Sequence, residues 1–226
     1  MEEFLGVLFC GGKGRRLEEI TNYISKSFIP VFDKPIFKFG LELLEKSKII
    51  NEIIILTNKN NNSGLNQLGY KTIIQDDSRV NDMLSGWNFI KEITNTRKNG
   101  VLVPSDNICE IKVDSLIKKF RINNADFLFS LHKIENKMKL SQMGAFDIKE
   151  KKFYYKNSKK NLEFGVIAPY IIKNKIHTEE DNMNSKSLEN IFESSKAEII
   201  FHEGYWFDIG DYDSILEASR WQQKNK

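Results

Sequence analysis

The sequence lacks the features of a disulfide-stapled, membrane-spanning or nucleic-acid-binding protein. Its 226 residues include only two cysteines, Cys10 and Cys109, which argues against disulfides and favours a reducing, cytoplasmic setting. No apolar run approaches the roughly 20 residues that cross a bilayer, and the acidic start Met1-Glu2-Glu3 is unlike a signal peptide. A formal net charge of +3, from 34 basic and 31 acidic residues, is too small to indicate nucleic-acid binding.

Short β-branched or aromatic runs alternate with amphipathic helical segments in the first 131 residues. This alternation predicts an α/β fold with a doubly wound, mostly parallel, Rossmann-like sheet. The predicted strands are Leu5 to Phe9, Glu52 to Thr57, Thr72 to Gln75, Val101 to Val103 and Asp126 to Leu131. Helical spacing appears in three apolar stripes: Ile36, Phe39, Leu43 and Leu44; Val80, Met83, Leu84 and Trp87; Val113, Leu116, Ile117 and Phe120.

The texture changes from Lys139 onward, where the predicted strands become shorter. They are Ala145 to Ile148, Phe153 to Lys156, Phe164 to Ala168 and Ala197 to His202, with helices at Leu188 to Glu193 and Tyr212 to Gln222 and a polar stretch at His177 to Lys186. No linker rich in proline, glycine or serine separates this region from the first. We therefore expect a small α+β subregion on the same sheet, within one domain of residues 1–226.

A glycine-rich turn with two adjacent arginines follows the first predicted strand. It reads Cys10-Gly11-Gly12-Lys13-Gly14-Arg15-Arg16-Leu17. Glycines accept positive φ and bring backbone N–H groups close to phosphate oxygens, and the cations neutralise phosphate charge. Neither the Walker A motif nor the dinucleotide-binding pattern fits these residues. By spacing alone, a plain structural turn remains an equal alternative.

The longer pattern resembles the sugar-phosphate nucleotidyltransferase family. The glycine turn is followed by Lys26, Pro30-Val31 and Lys34-Pro35. A central Ser105-Asp106-Asn107 is similar to the family's Gly-Asp-Asn. The closing element of the family is similar to Trp206-Phe207-Asp208-Ile209-Gly210, followed by Ser214-Ile215-Leu216-Glu217-Ala218-Ser219. Tyr155-Lys156-Asn157 faintly matches the family's Glu-Lys-Pro. These elements follow the family's order and cover nearly the whole chain.

Three residues depart from that pattern. Arg15 stands where the family usually has threonine, Ser105 replaces a glycine beside the aspartate, and Asp211 replaces the threonine of the closing element. The chain is also shorter than the thymidylyltransferases, so we expect their extra C-terminal helices to be absent.

The resemblance implies an enzyme that joins a nucleoside monophosphate, taken from a nucleoside triphosphate, to a phosphorylated acceptor, with release of pyrophosphate. It implies a Mg²⁺ site at Asp106 and Asp208, with Arg16 and Lys26 as catalytic cations. Residues 1–131 would form the nucleotide-binding half, in which nucleotide contacts are implied for Gly11, Gly12, Gly14, Arg15, Gln75 and Asn81. Acceptor contacts are implied for residues of 132–226, the acceptor-binding half: Gly144, Lys156 and Gly165.

The base is expected to be a pyrimidine, because the amide of Gln75 offers both a donor and an acceptor to a Watson–Crick edge. Val80 stands where thymidylyltransferases have glycine, and Asn81 and Ser85 resemble polar residues of phosphocholine cytidylyltransferases. CTP and dTTP stay close to equal, with a tilt towards CTP. Alternatively, Asn81 and Ser85 are solvent-exposed residues with no part in base recognition.

The expected acceptor is a sugar 1-phosphate, as in the supply of nucleotide sugars for capsule or polysaccharide synthesis. One alternative is a cytidylyltransferase acting on a non-sugar phosphate, such as phosphocholine or a phosphorylated amino acid. A second is a catalytically silent nucleotide-binding regulator. The spacing of His132, His177 and His202 predicts no zinc site. We expect no nucleic-acid or membrane partner, and self-association stays open.

Overall fold

The β-branched runs of the sequence form the strands of one large sheet and two small ones. A computed structural model describes residues 2–156, 161–176 and 186–225. Its strands are β1 (Phe4–Cys10), β2 (Pro30–Val31), β3 (Lys34–Pro35), β4 (Glu52–Thr57), β5 (Lys71–Ile74), β6 (Asn99–Pro104), β7 (Asn107–Cys109), β8 (Phe127–Lys133), β9 (Gly144–Asp147), β10 (Lys152–Tyr155), β11 (Phe164–Ile172), β12 (Ala197–His202) and β13 (Trp206–Asp208).

Seven α-helices connect or flank these strands in the described residues. They are α1 (Ile36–Glu45), α2 (Lys59–Asn66), α3 (Met83–Thr94), α4 (Val113–Ile122), α5 (Lys137–Leu140), α6 (Lys186–Ser194) and α7 (Tyr212–Lys224). Two 3₁₀ segments, Arg15–Asn22 and Lys26–Phe28, follow β1. No helix in the described ranges is long and apolar enough to cross a membrane.

The large sheet has the order β5-β4-β1-β6-β11-β8-β12, and the β9–β10 hairpin extends it beside the start of β11. β1 pairs in parallel with β4 and β6, and β12 pairs in parallel with β8, whereas β11 runs antiparallel to its neighbours. The sheet is therefore mostly parallel and continuous across both halves of the chain. This confirms the predicted fold class.

Side chains of the central strand alternate between the two faces, as the period of two requires. On β1, Phe4 and Leu8 pack in one buried cluster with α1 and α4, while Leu5 and Val7 pack in another with α3. Each face of the sheet thus has its own core. A third cluster, around Leu17, Ile209 and Ala218, packs α7 and the 3₁₀ segment together.

Most predicted elements are confirmed, with shifted ends that have local causes. The strand predicted to end at Lys156 ends one residue earlier, because Lys156 has φ +46° and leaves the β region. The helix predicted from Val80 begins at Met83, because Asp82 caps it in a reciprocal capping box with Ser85. The strand predicted as Phe164 to Ala168 continues through Pro169 to Ile172.

Several elements were not predicted, among them α2, β7 and β13. Helix α2 is almost wholly polar, so it carries no apolar stripe; its start is capped by Asn58, whose side chain accepts from the Asn61 N–H. Strands β7 and β13 have three residues each and pair only with one another. The predicted polar stretch His177 to Lys186 lies outside the described residues, except for Lys186 at the start of α6.

Candidate active site

The glycine-rich turn leaves the carboxyl end of β1 and requires glycine at position 14. Gly14 has φ +62°, and a Cβ there would lie 3.0 Å from the Cβ of Lys26. A Cβ on Gly11 would lie 1.9 Å from the Oε1 atom of Gln75. A Cβ on Gly12 would meet nothing within 4 Å, so its glycine has no packing cause. Gln75 thus lies against the turn, and its role in reading the base stays a prediction.

Amide side chains from the start of α2 hold the turn in place. Asn61 Nδ2 donates to the Cys10 carbonyl at 2.6 Å, and Asn58 Nδ2 donates to the Gly11 carbonyl at 3.3 Å. The buried Ser27 hydroxyl lies 3.3 Å from both the Cys10 carbonyl and the Ser105 hydroxyl. Burial also raises the pKa of Cys10 to about 12, so this thiol is a packing residue and not a nucleophile.

Two aspartates distant in sequence meet because β7 and β13 pair antiparallel. Asn107 stands opposite Asp208 in that register, and the Ile209 N–H donates to the Asp106 carbonyl at 2.8 Å. The Asn107 amide bridges the pair, since Nδ2 donates to Asp106 Oδ1 at 3.1 Å and to Asp208 Oδ1 at 3.3 Å. Its own Oδ1 accepts from Trp206 Nε1 at 3.0 Å, which fixes the NH₂ group towards the carboxylates.

Two cations from the start of the chain reach this carboxylate pair. Lys26 Nζ lies 2.6 Å from Asp106 Oδ2, and the Lys26 side chain is only 11% exposed. Arg16 Nη2 lies 4.0 Å from Asp208 Oδ2. A Cβ on Gly210 would lie 2.3 Å from Arg16 Nη2, so the guanidinium packs where that residue lacks a side chain. The structure therefore brings Arg16, Lys26, Asp106 and Asp208 together.

The surroundings of Asp208 disfavour its charged form. Burial raises the pKa of Asp208, and the charge of Asp106 raises it further, against the lowering effects of Lys26, Lys139 and Arg16. Two carboxylates of this kind fit Mg²⁺, which is commonly bound by one or two carboxylates together with substrate phosphates. The described residues hold no group of three or more His, Cys, Asp or Glu that could bind a metal ion without a ligand.

The residues predicted to bind the acceptor lie on strands β9 and β11 and just after β10. Gly165 lies on β11, where a Cβ would meet Ile134 Cδ1 at 2.4 Å, so packing alone explains its glycine. Gly144 begins β9 and pairs with Tyr155. Lys156 is exposed; its N–H donates to the Met143 carbonyl at 3.1 Å, and its Nζ lies 5.1 Å from the centre of the Tyr155 ring.

Two of the predicted nucleotide residues are only partly positioned by the structure. Asn81 is exposed in the loop before α3, and its N–H donates to Ser85 Oγ at 3.0 Å. The Ser85 hydroxyl is thereby engaged in capping α3. The side chain of Arg15 lies outside the described part of the structure, as does Asn157.

Sequence reasoning missed Lys139 and Asp77. Lys139 lies in α5, its Nζ is 4.9 Å from the centre of the Trp206 ring, and its charge lowers the pKa of Asp208. Asp77 contacts both Gln75 and Lys13. Each belongs to a charged, solvated-looking stretch, so no pattern in the sequence marked it. His132 and His202 lie close together, with ring centres 5.4 Å apart, and the absence of a histidine zinc site stays a prediction.

Known proteins resemble this chain over nearly its full length. A family model described as nucleotidyl transferase matches residues 5–225. The chain is 25% identical over 236 residues to the bifunctional sugar-1-phosphate nucleotidylyltransferase/acetyltransferase of Sulfurisphaera tokodaii, a match that covers 96% of this chain and 55% of that protein. The chain thus spans little more than half the length of that relative.

Two further comparisons cover both partners almost completely. The probable glucose-1-phosphate cytidylyltransferase of Bacillus subtilis is 22% identical over 243 residues, with 96% of each chain covered. A solved structure of UDP-glucose pyrophosphorylase complexed with UDP-glucose superposes with a TM-score of 0.79 at 16% identity, covering 100% of both chains. At that identity the structural likeness concerns the fold alone.

Proposed function

Because the chain belongs to the nucleotidyl transferase family, we propose that it transfers a nucleoside monophosphate from a nucleoside triphosphate to a sugar 1-phosphate and releases pyrophosphate. The observation that carries the proposal is the convergence of Arg16 and Lys26 on Asp106 and Asp208 beside a glycine turn. The relative from Sulfurisphaera tokodaii, whose name includes sugar-1-phosphate nucleotidylyltransferase, supports the acceptor class.

The reaction needs no protein nucleophile. An oxygen of the acceptor phosphate forms a bond to the α-phosphorus of the triphosphate, and the bond from that phosphorus to the bridging oxygen breaks as pyrophosphate leaves. Because all reactants are anionic, the barrier lies in bringing them together and in stabilising the negative charge that develops. Arg16 would stabilise the departing pyrophosphate, and Lys26 would contact the phosphates near the reacting centre.

Asp106 and Asp208 would hold Mg²⁺, which when bound supplies positive charge to the α-phosphate. Asn107 would orient both carboxylates through the amide it shares between them, since Trp206 fixes the direction of that amide. Lys26 Nζ, 2.6 Å from Asp106 Oδ2, would hold that carboxylate in place. The proposed role of these residues is to position the two carboxylates and the Mg²⁺ before the reaction.

The donor is proposed to be CTP or dTTP, with a preference for CTP. Gln75 lies against Gly11 at the start of the phosphate turn, where a base attached to a triphosphate on that turn would be read. Val80 in place of glycine disfavours the thymidylyltransferase arrangement, and the relative from Bacillus subtilis carries a cytidylyltransferase name. Residues 132–226 would bind the acceptor, with Lys156 on its phosphate.

A cross-panel of substrates tests the proposal. The protein would be incubated in Mg²⁺ with equimolar CTP, dTTP, UTP, GTP and ATP and with sugar 1-phosphates, phosphocholine and a phosphorylated amino acid, and the products identified by mass spectrometry. We expect a pyrimidine nucleotide sugar, and Asp106→Asn serves as the inactive control. A phosphocholine product would establish the non-sugar alternative. Nucleotide binding without any pyrophosphate release would establish the regulator.

A further inference from the structure

One carboxylate joins the phosphate turn to the residue proposed to read the base. Asp77 Oδ1 accepts from Gln75 Nε2 at 2.8 Å, and Asp77 Oδ2 lies 3.0 Å from Lys13 Nζ. Lys13 belongs to the glycine turn, whereas Gln75 and Asp77 follow β5. The proposed roles of Gln75 and of the glycine turn in nucleotide binding do not explain why Asp77 contacts both.

The contact fixes which end of the Gln75 amide faces the site. An ionised carboxylate offers only acceptors, so the NH₂ group and not the oxygen of the amide must point to Asp77. The Oε1 atom is then the end that lies against Gly11, as the 1.9 Å approach to a Cβ built on that glycine shows. The hydrogen bond from Gln75 and the charge of Lys13 both lower the pKa of Asp77, which keeps it ionised at neutral pH.

A fixed amide distinguishes bases that a freely turning amide does not. Along the Watson–Crick edge, cytosine presents a donor amine followed by an acceptor nitrogen, whereas thymine and uracil present an acceptor oxygen followed by a donor N–H. An amide matches either order, but the two matches require opposite orientations, related by a half-turn about the last side-chain bond. Holding one orientation therefore accepts one order and leaves the other mispaired.

We infer that Asp77 is the positioning residue that makes Gln75 discriminate between cytosine and thymine or uracil. The inference rests on the proposed function, in that Gln75 reads the base. Lys13 pairs with the other oxygen of Asp77 and so links the base-reading residue to the phosphate turn, whereas the Gln75–Asp77 hydrogen bond by itself sets the orientation of the amide. Asp77 itself contacts neither base nor phosphate.

A purely structural role for this contact is disfavoured by its exposure. The side chains of Lys13 and Asp77 are 57% and 48% exposed, and exposed ion pairs contribute little to stability. Removal of Asp77 should therefore leave the fold intact while it frees the Gln75 amide. Selectivity and stability then separate in one variant.

The test is equilibrium binding of CTP, dTTP and UTP in Mg²⁺ without acceptor, measured by titration calorimetry. We expect the wild type to prefer one base order by about 10²-fold, and Asp77→Ala to reduce that ratio to about threefold or less. Lys13→Met keeps the Gln75–Asp77 bond, so it should weaken all three nucleotides alike and keep the ratio. Asp76→Ala is the matched control, because Asp76 contacts Ser78 and not Gln75.

Each outcome is decisive. An unchanged ratio in Asp77→Ala, or a wild type that does not distinguish CTP from dTTP, overturns the inference. In a Gln75→Ala background, Asp77→Ala should have no further effect on the ratio, and an effect there also overturns it. Should circular dichroism show Asp77→Ala unfolded, Asp77→Asn replaces it, since an amide no longer imposes one orientation. Selective, Asp77-dependent binding with no nucleotidyl transfer would overturn the proposed function alone.

Discussion

The two sides of the candidate site differ in how firmly their side chains are held. The turn side, meaning residues 11–17 with Lys26 and Gln75, is tied by close contacts to Asp106, Asp77 and the start of α2. The acceptor side, meaning Gly144, Lys156 and Gly165, has an exposed lysine whose ammonium lies beside a tyrosine ring. The turn side is held by contacts within the protein itself, whereas the lysine proposed to bind the acceptor is exposed and would be ordered by its ligand. Substitutions on the two sides should therefore damage catalysis in different ways.

The largest loss is expected at the carboxylate pair that both sides share. Asp106→Asn and Asp208→Asn should each lower turnover by about 10²- to 10³-fold, because loss of either carboxylate weakens the proposed Mg²⁺ site and with it the positive charge at the reacting phosphorus. Pyrophosphate release measures the rate, and circular dichroism checks the fold. Near-normal turnover of either variant in Mg²⁺ would refute the two-carboxylate metal site.

Within the turn side, the two adjacent arginines should be unequal. Arg16→Ala should reduce kcat by about 10²-fold, because its guanidinium lies 4.0 Å from Asp208 and is positioned to stabilise the leaving pyrophosphate. Arg15→Ala should cost less, since the catalytic arginine of the family pattern falls at position 16. Steady-state kinetics of the two variants decides, and a larger loss at Arg15 would place the turn in another register.

A smaller loss should arise when the turn side is disturbed without removal of a charge. Gly210→Ala places a methyl group 2.3 Å from Arg16 Nη2, so the guanidinium must move, and kcat should fall by about tenfold. Gly210→Ala made in the Arg16→Ala background provides the control, because the two effects share one cause. Full additivity of the two losses would mean that Gly210 acts on something other than Arg16.

The smallest effect on turnover is expected on the acceptor side. Lys156→Ala should raise the KM for the acceptor by about tenfold and leave kcat and the triphosphate KM close to wild type, since uniform binding of a phosphate is what the exposed ammonium would supply. Initial rates with each substrate varied in turn separate the two constants. A rise confined to the triphosphate KM would assign Lys156 to the turn side and break the comparison.

The sequence predicted the fold where its pattern is strong and local. Glu52 to Thr57 and Ala197 to His202 are strands with the predicted ends, because runs that contain adjacent isoleucines carry a strong strand propensity. Helix α2 carries neither: its four asparagines suit turns, and an Asn58 cap together with tertiary contacts decides its structure. Propensity could not anticipate that outcome.

The candidate site was predictable only through motifs. Asp106, Asp208, Arg16 and Lys26 were singled out by the order of the family's elements, and the structure brings these four together; their chemical roles stay predictions. Lys139 and Asp77 have no comparable mark, because a lysine in α5 or an aspartate after β5 looks like solvated surface. Their relevance arises from distances across the fold, which no spacing along the chain encodes.

The pairing of β7 with β13 determines when the carboxylate pair can form during synthesis of the chain. Asn107 and Asp208 are separated by 101 residues, so a ribosome adding about 5–20 residues per second emits them about 5–20 s apart. Until β13 arrives, Lys26 and Asp106 can meet, but the second carboxylate and the Trp206 hydrogen bond that orients Asn107 do not yet exist. A nascent chain could therefore form the phosphate turn before it could catalyse the proposed nucleotidyl transfer. Activity would begin only after β13, with Asp208, has paired with β7.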